Sequence, residues 1–345
     1  MASLLWFNPE NDLALAAGTS QYTPPRAAIA LRRAGAYLPR LWAGDSDVIL
    51  TDLSATVDPT LHPRPWGWSS FTSSVFRRCG IAGENLPAPD RIQQMRQLSH
   101  RRSASRLLQL IGYPDRLIPV ESFSIEQAIE TIAGFGGKAF IKLPWSCSGR
   151  GVIDSGNLPL HKLREVVSGM ISRQGSVMVE PRYNRIRDFA TLFHAENGHV
   201  RFRGLSLFST DSGGHYSGNI VAHQSKIEAA VATDLSALIP TLEKALEQIY
   251  GDCYDGWLGI DMLIHADTYG RRQLAPCIEI NMRMTMGVAA LLAAGSPINP
   301  WDEAILHVAM PGETLHRNAI TFSAVPPLPG IPLTYPVITL SPASD

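Results

Sequence analysis

The alternation of apolar and polar positions breaks the chain into short strands and helices. Residues Ser3 to Phe7 form an apolar run that stops at Asn8-Pro9, which predicts a short buried strand. Asn11 or Asp12 can cap a helix through the Ala/Leu-rich stretch to Ala17, and a second helical run, Arg26 to Ala34, is closed by Gly35. Asp47 to Thr51 reads as another buried strand, so the first part of the chain is expected to be a small α/β unit with a parallel sheet. Pro59 to Gly67, rich in proline and tryptophan, reads as an irregular connection. A helix is expected from Pro89 to Leu110, ended by Gly112 and Pro114. Beyond it, strands are expected at Lys138–Leu143, Ser176–Glu180, Asp188–His194 and Val200–Phe208, with a helix near His161 to Ser172. An amphipathic helix spans Ala229 to Ile249. Two more strands, Trp257–His265 and Gln273–Ile280, join through Asp267-Thr268-Tyr269-Gly270, a hairpin-type connection. The Pro- and Ser-rich end after Ala324 reads as extended or partly disordered, and no internal repeat is visible.

Composition narrows the class. With 345 residues, 45% hydrophobic and 18% charged, the chain suits a globular enzyme of two or three units around a cleft. A net charge of -1 supplies no global field for a polyanion, which argues against nucleic acid and anionic membranes as partners. The opening MASLLWFNPENDLALA lacks the basic and continuous apolar regions of a signal peptide, and no apolar run is long enough to cross a bilayer. Cys79, Cys147, Cys253 and Cys277 form no CxxC pair and no zinc set, so a cytoplasmic setting is expected. Cys147 lies inside a glycine-containing loop, where it is small filler or a reactive thiol.

The late hairpin carries the sharpest chemical signal. Glu279 and Asn281 leave the same face of a strand, and counting back from the turn places Asp261 opposite Glu279. Like charges facing each other destabilise a sheet unless a cation lies between them, and Mg²⁺ prefers such oxygen ligands. Pro276 can bulge the strand and shift this register by a residue. The competing reading is an ion pair of either acid with Arg283 or another arginine. A second signal is Lys142-Leu143-Pro144 followed by Ser146-Cys147-Ser148-Gly149-Arg150-Gly151: the glycines allow close backbone approach to phosphate oxygens, and Lys142 adds a point charge. A plain glycine turn fits these residues too, and the segment does not match a P-loop. The third is Val177-Met178-Val179-Glu180-Pro181, a strand able to offer backbone groups to a purine edge, or simply a core strand. Arg187-Asp188 beside it could reach a ribose hydroxyl or form a surface ion pair.

In this order, IKLPWSCSGRGV (141–152), VMVEPRYNRIRDF (177–189), GWLGIDMLIH (256–265) and EINMRMTMG (279–287) resemble the ATP-grasp superfamily of carboxylate-amine and carboxylate-thiol ligases, over roughly residues 95 to 295. The resemblance implies an α/β fold of α+β ATP-grasp architecture. It comprises a pre-ATP-grasp α/β domain (1–94), a small subdomain with the glycine loop (95–180), a large subdomain with the metal site (181–312) and an extended tail (313–345). It implies that Lys142 and the loop residues Ser146, Ser148, Gly149 and Gly151 hold the nucleotide phosphates. It places adenine at Met178, Val179 and Glu180, and the ribose at Asp188. Asp261, Glu279 and Asn281 would hold Mg²⁺, with Mn²⁺ an allowed substitute, and Arg283 would meet the γ-phosphate and the developing acyl phosphate. The family's first nucleotide lysine is missing: SHRRSASRLLQLIGYP offers Arg101 or Arg102, which keeps the charge but changes its geometry, and admits a degenerate enzyme. Asn8, Glu10, Asn11 and Asp12, just after the first strand, could contact a polar substrate or serve as helix cap and turn.

The expected function is therefore ATP-dependent activation of a carboxylate for attack by an amine or thiol, with small molecules as partners and room for a homodimer. A kinase of the same fold and a non-catalytic nucleotide-binding regulator are the alternatives.

Overall fold

The computed structural model describes residues 2–146, 151–210, 216–328 and 330–343. Its first unit runs β1 (Ser3–Trp6), α1 (Asn11–Ala17), α2 (Arg26–Ala34), β2 (Val48–Ile49), β3 (His62–Pro65) and α3 (Ser70–Arg78). The strands form a parallel sheet in the order β2-β1-β3, as the βα alternation predicts. The segment expected to be irregular contains β3: its prolines are tolerated because only one edge of β3 is paired. Asn8 is fully buried at the end of β1. Its amide donates to Gly67 O (2.9 Å) and Thr72 Oγ1 (3.1 Å) and accepts from Gly67 N (3.2 Å), tying the ends of β1 and β3 together.

The expected long helix is two, α4 (Pro89–Leu98) and α5 (Arg102–Leu110). The break falls at Ser99 to Arg101, where the Ser99 hydroxyl turns back onto Met95 O and the Arg101 N–H goes to Pro144 O instead of continuing the helix. A four-stranded sheet of order β4-β7-β5-β6 follows, built from β4 (Val120–Ser122), β5 (Ala139–Lys142), β6 (Val152–Asp154) and β7 (Val177–Pro181) and backed by α6 (Ile125–Gly134) and α7 (Leu160–Gln174).

The remaining strands are β8 (Asn184–Glu196), β9 (His199–Thr210), β10 (Tyr216–Ala222), β11 (Gly256–Ala266), β12 (Arg272–Asn281), β13 (Glu303–Ala309), β14 (Ile320–Thr321) and β15 (Val337–Pro342). They make one eight-stranded sheet, β12-β11-β8-β9-β10-β13-β15-β14. The helix expected over 229–249 is also two, α8 (Gln224–Val231) and α9 (Leu238–Tyr250), separated at Ala232, which adopts a left-handed φ of 51°. Helices α5, α8 and α9 cover the β8, β9, β11 and β12 region through the largest apolar core, and α10 (Met286–Ala294) packs on β9 and β10. Among the described residues no helix is long and apolar enough to cross a membrane. Cys79, Cys253 and Cys277 are buried thiols.

The C-terminal segment is extended, but it is not a loose tail. Strand β15 pairs with β13 at six positions and with β14 on its other edge. Its Ile338 and Leu340 enter a core with Phe7, Ala34, Leu38 and Trp66 of the N-terminal unit. Backbone bonds from Tyr37 N to Phe322 O (2.8 Å) and from Ala324 N to Arg33 O (2.9 Å) complete the seam. At Gly35 a Cβ would lie 2.6 Å from both Ile338 and Phe7, so only glycine lets α2 end this close. Ile338→Ala should therefore cost about 2–5 kcal/mol by urea unfolding; a change below about 0.5 kcal/mol, the usual range of a surface substitution, would show that the segment is peripheral.

Candidate functional site

Strands β11 and β12 pair Gly259 with Asn281, Ile260 with Ile280 and Asp261 with Glu279. The register then slips, and Leu263 meets Ala275, so three residues including Pro276 face Met262 alone. This is the bulge that a proline without an N–H produces, and it lies beyond the acidic pair, leaving the expected Asp261–Glu279 opposition intact. Asn281 Nδ2 donates to Asp261 Oδ2 at 3.2 Å. Burial first, and then the charge of Glu279, push the Asp261 carboxyl well above the usual carboxylate range, against the pull of Arg283, Asn281 and Arg101. Glu279 Oε2 lies 2.9 Å from Nη1 of the buried Arg101, although that nitrogen has no hydrogen-bond partner of good geometry. An arginine pair with Glu279 is thus realised, by Arg101 and not by Arg283.

Arg101 is the hub of the site. Its Nε donates to Leu143 O (3.1 Å) and its Nη2 to Ser146 Oγ (3.1 Å). Burial opposes its charge, yet Glu279, Glu180 and Asp12 together hold its pKa above the ordinary arginine value. Arg102, the other residue considered for this place, is half exposed and pairs with Glu121 at 3.1 Å.

The four-stranded sheet supplies the facing wall. Ala139, Ile141, Val177 and Val179 point into the core against α6 and α7, so by alternation Lys142, Met178 and Glu180 occupy the opposite face. Lys142 Nζ lies 2.5 Å from Glu180 Oε2, with both side chains almost fully buried. The same two residues act electrostatically on Cys277 of β12, which places this face against the β11–β12 hairpin. Val179 departs from expectation: its side chain is core, and β7 is flanked by β4 and β5, whose ladders engage the backbone of Met178 and Val179 from both sides. Those two residues therefore have no free main-chain edge for a purine, although Met178 keeps its side chain on the cleft face.

At the mouth of β5 and β6, Gly151 adopts a φ of +72°, and a Cβ there would lie 2.7 Å from Leu143. Its carbonyl accepts from Leu143 N at 3.0 Å and closes the loop. Ser146 is buried beside Arg101. Ser148 and Gly149, with Cys147 and Arg150, lie outside the described residues. Asp188, on β8, has its carboxyl raised by burial and pairs with Arg185 at 3.2 Å. Arg187 is not its partner, because it donates to Ala230 O instead.

The N-terminal segment divides. Asn8 and Asn11 are buried in the turn, and Glu10 pairs with Arg32 at 2.5 Å. Asp12 alone reaches the site, receiving Arg283 Nη2 at 2.7 Å and Nε at 3.0 Å. Arg283 also donates from Nη1 to Met284 O at 3.1 Å. A small hollow between these groups is lined by Asp12, Ser99, Glu279 and Asn281. Ser99 gave no signal of its own, because an unbroken helix leaves it as one more helical residue; only the break in Ser-His-Arg-Arg turns it inward.

No family model matches the sequence, and no curated protein matches it. Solved structures do. A biotin carboxylase β,γ-ATP complex from Campylobacter jejuni aligns with a TM-score of 0.55 at 14% identity, over 99% of this chain and 87% of that one. A phosphoribosylamine–glycine ligase from Thermotoga maritima gives 0.54 at 13% identity, over 99% and 89%. An ATP complex of carboxyaminoimidazole ribonucleotide synthase from Aspergillus clavatus gives 0.52 at 12% identity, over 99% and 93%. The chain has the ATP-grasp fold.

His100, at the helix break, makes one testable contribution. It is 2% exposed, packs edge-on against Trp145 and accepts from Arg102 N at 3.0 Å. Burial, reinforced by Arg102, Arg96 and Arg101, pushes its pKa down to about 3, so it stays neutral in the fold and its contact with Glu121 is no ion pair. The unfolded chain takes up a proton here below about pH 6.5. Stability from a neutral His100 is complete above that pH and is lost as pH falls toward 3. The stability gap between wild type and His100→Gln, measured by urea unfolding, should shrink from pH 7 to pH 4.5; a constant gap would contradict the assignment.

Proposed function

We propose that the cleft between the two sheets binds MgATP and uses its γ-phosphoryl group to activate a carboxylate, which an amine then attacks. The observation that carries this reading is the opposition of Asp261 and Glu279 on the hairpin that faces Lys142 and Glu180. Two neighbouring carboxylates, one of them driven toward its protonated form, are the donor set that a divalent cation relieves. In this reading the cation would rest on Asp261, Glu279 and the amide oxygen of Asn281; among the described residues no three histidines, cysteines, aspartates or glutamates are grouped to hold a metal. When bound, Mg²⁺ offsets the charge of the triphosphate.

The rest of the chemistry falls to the chain itself. ATP brings about four negative charges, and the attacking carboxylate adds another. Lys142 and Arg101 supply buried cations on the phosphate side, and Arg283 supplies one on the acceptor side. Carboxylate oxygen forms a bond to the γ-phosphorus as the bond to ADP breaks; the amine then attacks the acyl carbon, and the C–O bond breaks to release free phosphate. Glu180 and Met178 are the residues proposed beside adenine, Asp188 beside the ribose, and Ser146 to Gly151 over the phosphates. Exclusion of water protects the acyl phosphate. Domain boundaries near residues 94 and 180, and a cytoplasmic setting, belong to the same reading.

One observation favours the non-catalytic alternative: the cations and acids of the cleft are already matched, Arg101 with Glu279 and Lys142 with Glu180. No comparable observation favours a kinase. Calorimetry with ATP, with and without Mg²⁺, combined with a phosphate-release screen over paired acids and amines, separates the readings. The ligase reading expects Mg²⁺-dependent binding, phosphate release only when both co-substrates are present, and loss of both in a folded Glu279→Ala. Binding without release across the screen supports the regulator, and a Glu279→Ala protein that binds MgATP like wild type overturns the metal assignment.

A further inference from the structure

A second and much larger cavity, of about 760 Å³, lies between the open edge of β3 and the adjoining ends of β8 and β11. Five of the seven tryptophans in the chain line it: Trp6, Trp42, Trp66, Trp68 and Trp257. Trp42, Trp68 and Trp257 are only half-buried, which leaves indole surface open to the cavity. Trp42 sits 6.4 Å from Trp66, and Trp257 meets His194 edge-on at 5.1 Å. Such a wall suits a planar apolar body, which it would bury on several sides.

The charges around the wall sort by whether the fold has already satisfied them. Arg91 is paired with Asp255 at 3.1 Å, and Asp47 accepts from Ser3 N and Gly44 N. His62 and His194 are held below the ordinary histidine pKa, chiefly by burial. Arg64, Glu84 and Glu196 remain; among the described residues none of their side chains makes a hydrogen bond or an ion pair, although the Arg64 charge helps keep Asp47 ionised. The cavity thus offers one guanidinium, two carboxylates and a bank of indoles. A guanidinium reads a carboxylate, and carboxylates with indole faces read an ammonium.

The cavity also adjoins the hollow beside the acidic pair. Met95, in the last turn of α4, lines the cavity, and Ser99, the residue that caps that helix, lines the hollow, about 6 Å further along the axis. Met284 lines the cavity and Met282 the hollow, with Arg283 between them, and Met284 N donates to Trp66 O at 2.8 Å.

We propose that this cavity is the amine site, and that the amine is a zwitterionic amino acid with a planar apolar side chain. Its carboxylate is read by Arg64, its ammonium by Glu84 and Glu196, and its ring by the tryptophans. The catalytic role rests on the ligase reading above, whereas binding does not. In the reaction the ammonium first loses a proton to water. Its lone pair forms the C–N bond, the C–O bond to phosphate breaks with the electrons leaving on phosphate, and a second proton leaves nitrogen for solvent.

The full chain, labelled with ¹⁵N at the indoles and assigned by single Trp→Phe replacements, tests this by NMR titration with L-phenylalanine, phenethylamine and phenylacetate. L-Phenylalanine should shift Trp42, Trp68 and Trp257 while leaving Trp145 and Trp301 in place. Arg64→Ala should weaken L-phenylalanine and phenylacetate about tenfold and leave phenethylamine unchanged. Glu84→Gln with Glu196→Gln should weaken the two amines and spare phenylacetate. The proposal fails if no probe moves the cavity indoles, or if Arg64→Ala affects all three probes alike. Trp145, beside Ser146 in the cleft, separately reports a magnesium complex of a nonhydrolysable ATP analogue. Failure of the nucleotide reading is therefore seen at a different resonance.

Discussion

Two carboxylates, Asp261 and Glu279, face each other across an antiparallel hairpin, and the surrounding structure is arranged to make that arrangement tolerable. Bare opposition of like charges costs a sheet stability, and burial raises the cost for Asp261. The fold answers with Arg101 set against Glu279 and the Asn281 amide against Asp261. Arg101 can be there only because the helix stops at Leu98 and restarts at Arg102, which brings the guanidinium across to the hairpin and onto the Leu143 carbonyl. The helix break, the bulge at Pro276 and the acidic pair form one construction.

The same logic extends across the cleft. Lys142 is neutralised by Glu180, and Arg283 by Asp12 of the N-terminal segment. Each cation of the proposed phosphate site is held by an acid, and one pair leaves capacity to spare: Arg101 Nη1 contacts Glu279 without a good hydrogen bond. A buried charge without any partner would be far more costly than these pairs, so the pairing makes the burial of these charges tolerable. On this account the ion pairs are the resting form of the proposed site, exchanged when phosphate and metal arrive.

Much of this was legible in the sequence, and the losses have physical causes. Period-2 alternation, with a turn at Asp267 to Gly270, sufficed to set Asp261 against Glu279, because register in a hairpin is local. The parallel N-terminal sheet followed from its βα spacing. Apolar periodicity predicts continuous helices over 89–110 and 229–249 because it does not register a break made by a tertiary hydrogen bond, such as Arg101 N to Pro144 O. Val179 was expected beside a purine, although alternation already sets it opposite Met178 and Glu180. The C-terminal strand carried too many prolines nearby to stand out, and its place depends on Phe7 and Trp66, some three hundred residues away in the chain. Asp12 was visible as one of four polar residues, but only the fold shows which of them reaches Arg283.

The exchange of ion pairs is open to direct observation by a crystal structure with magnesium and a nonhydrolysable ATP analogue. Metal density should touch Asp261 and Glu279, with Arg101 released from Glu279 and turned toward a phosphate. Nucleotide bound elsewhere, with the Arg101–Glu279 and Lys142–Glu180 pairs unchanged, would contradict it.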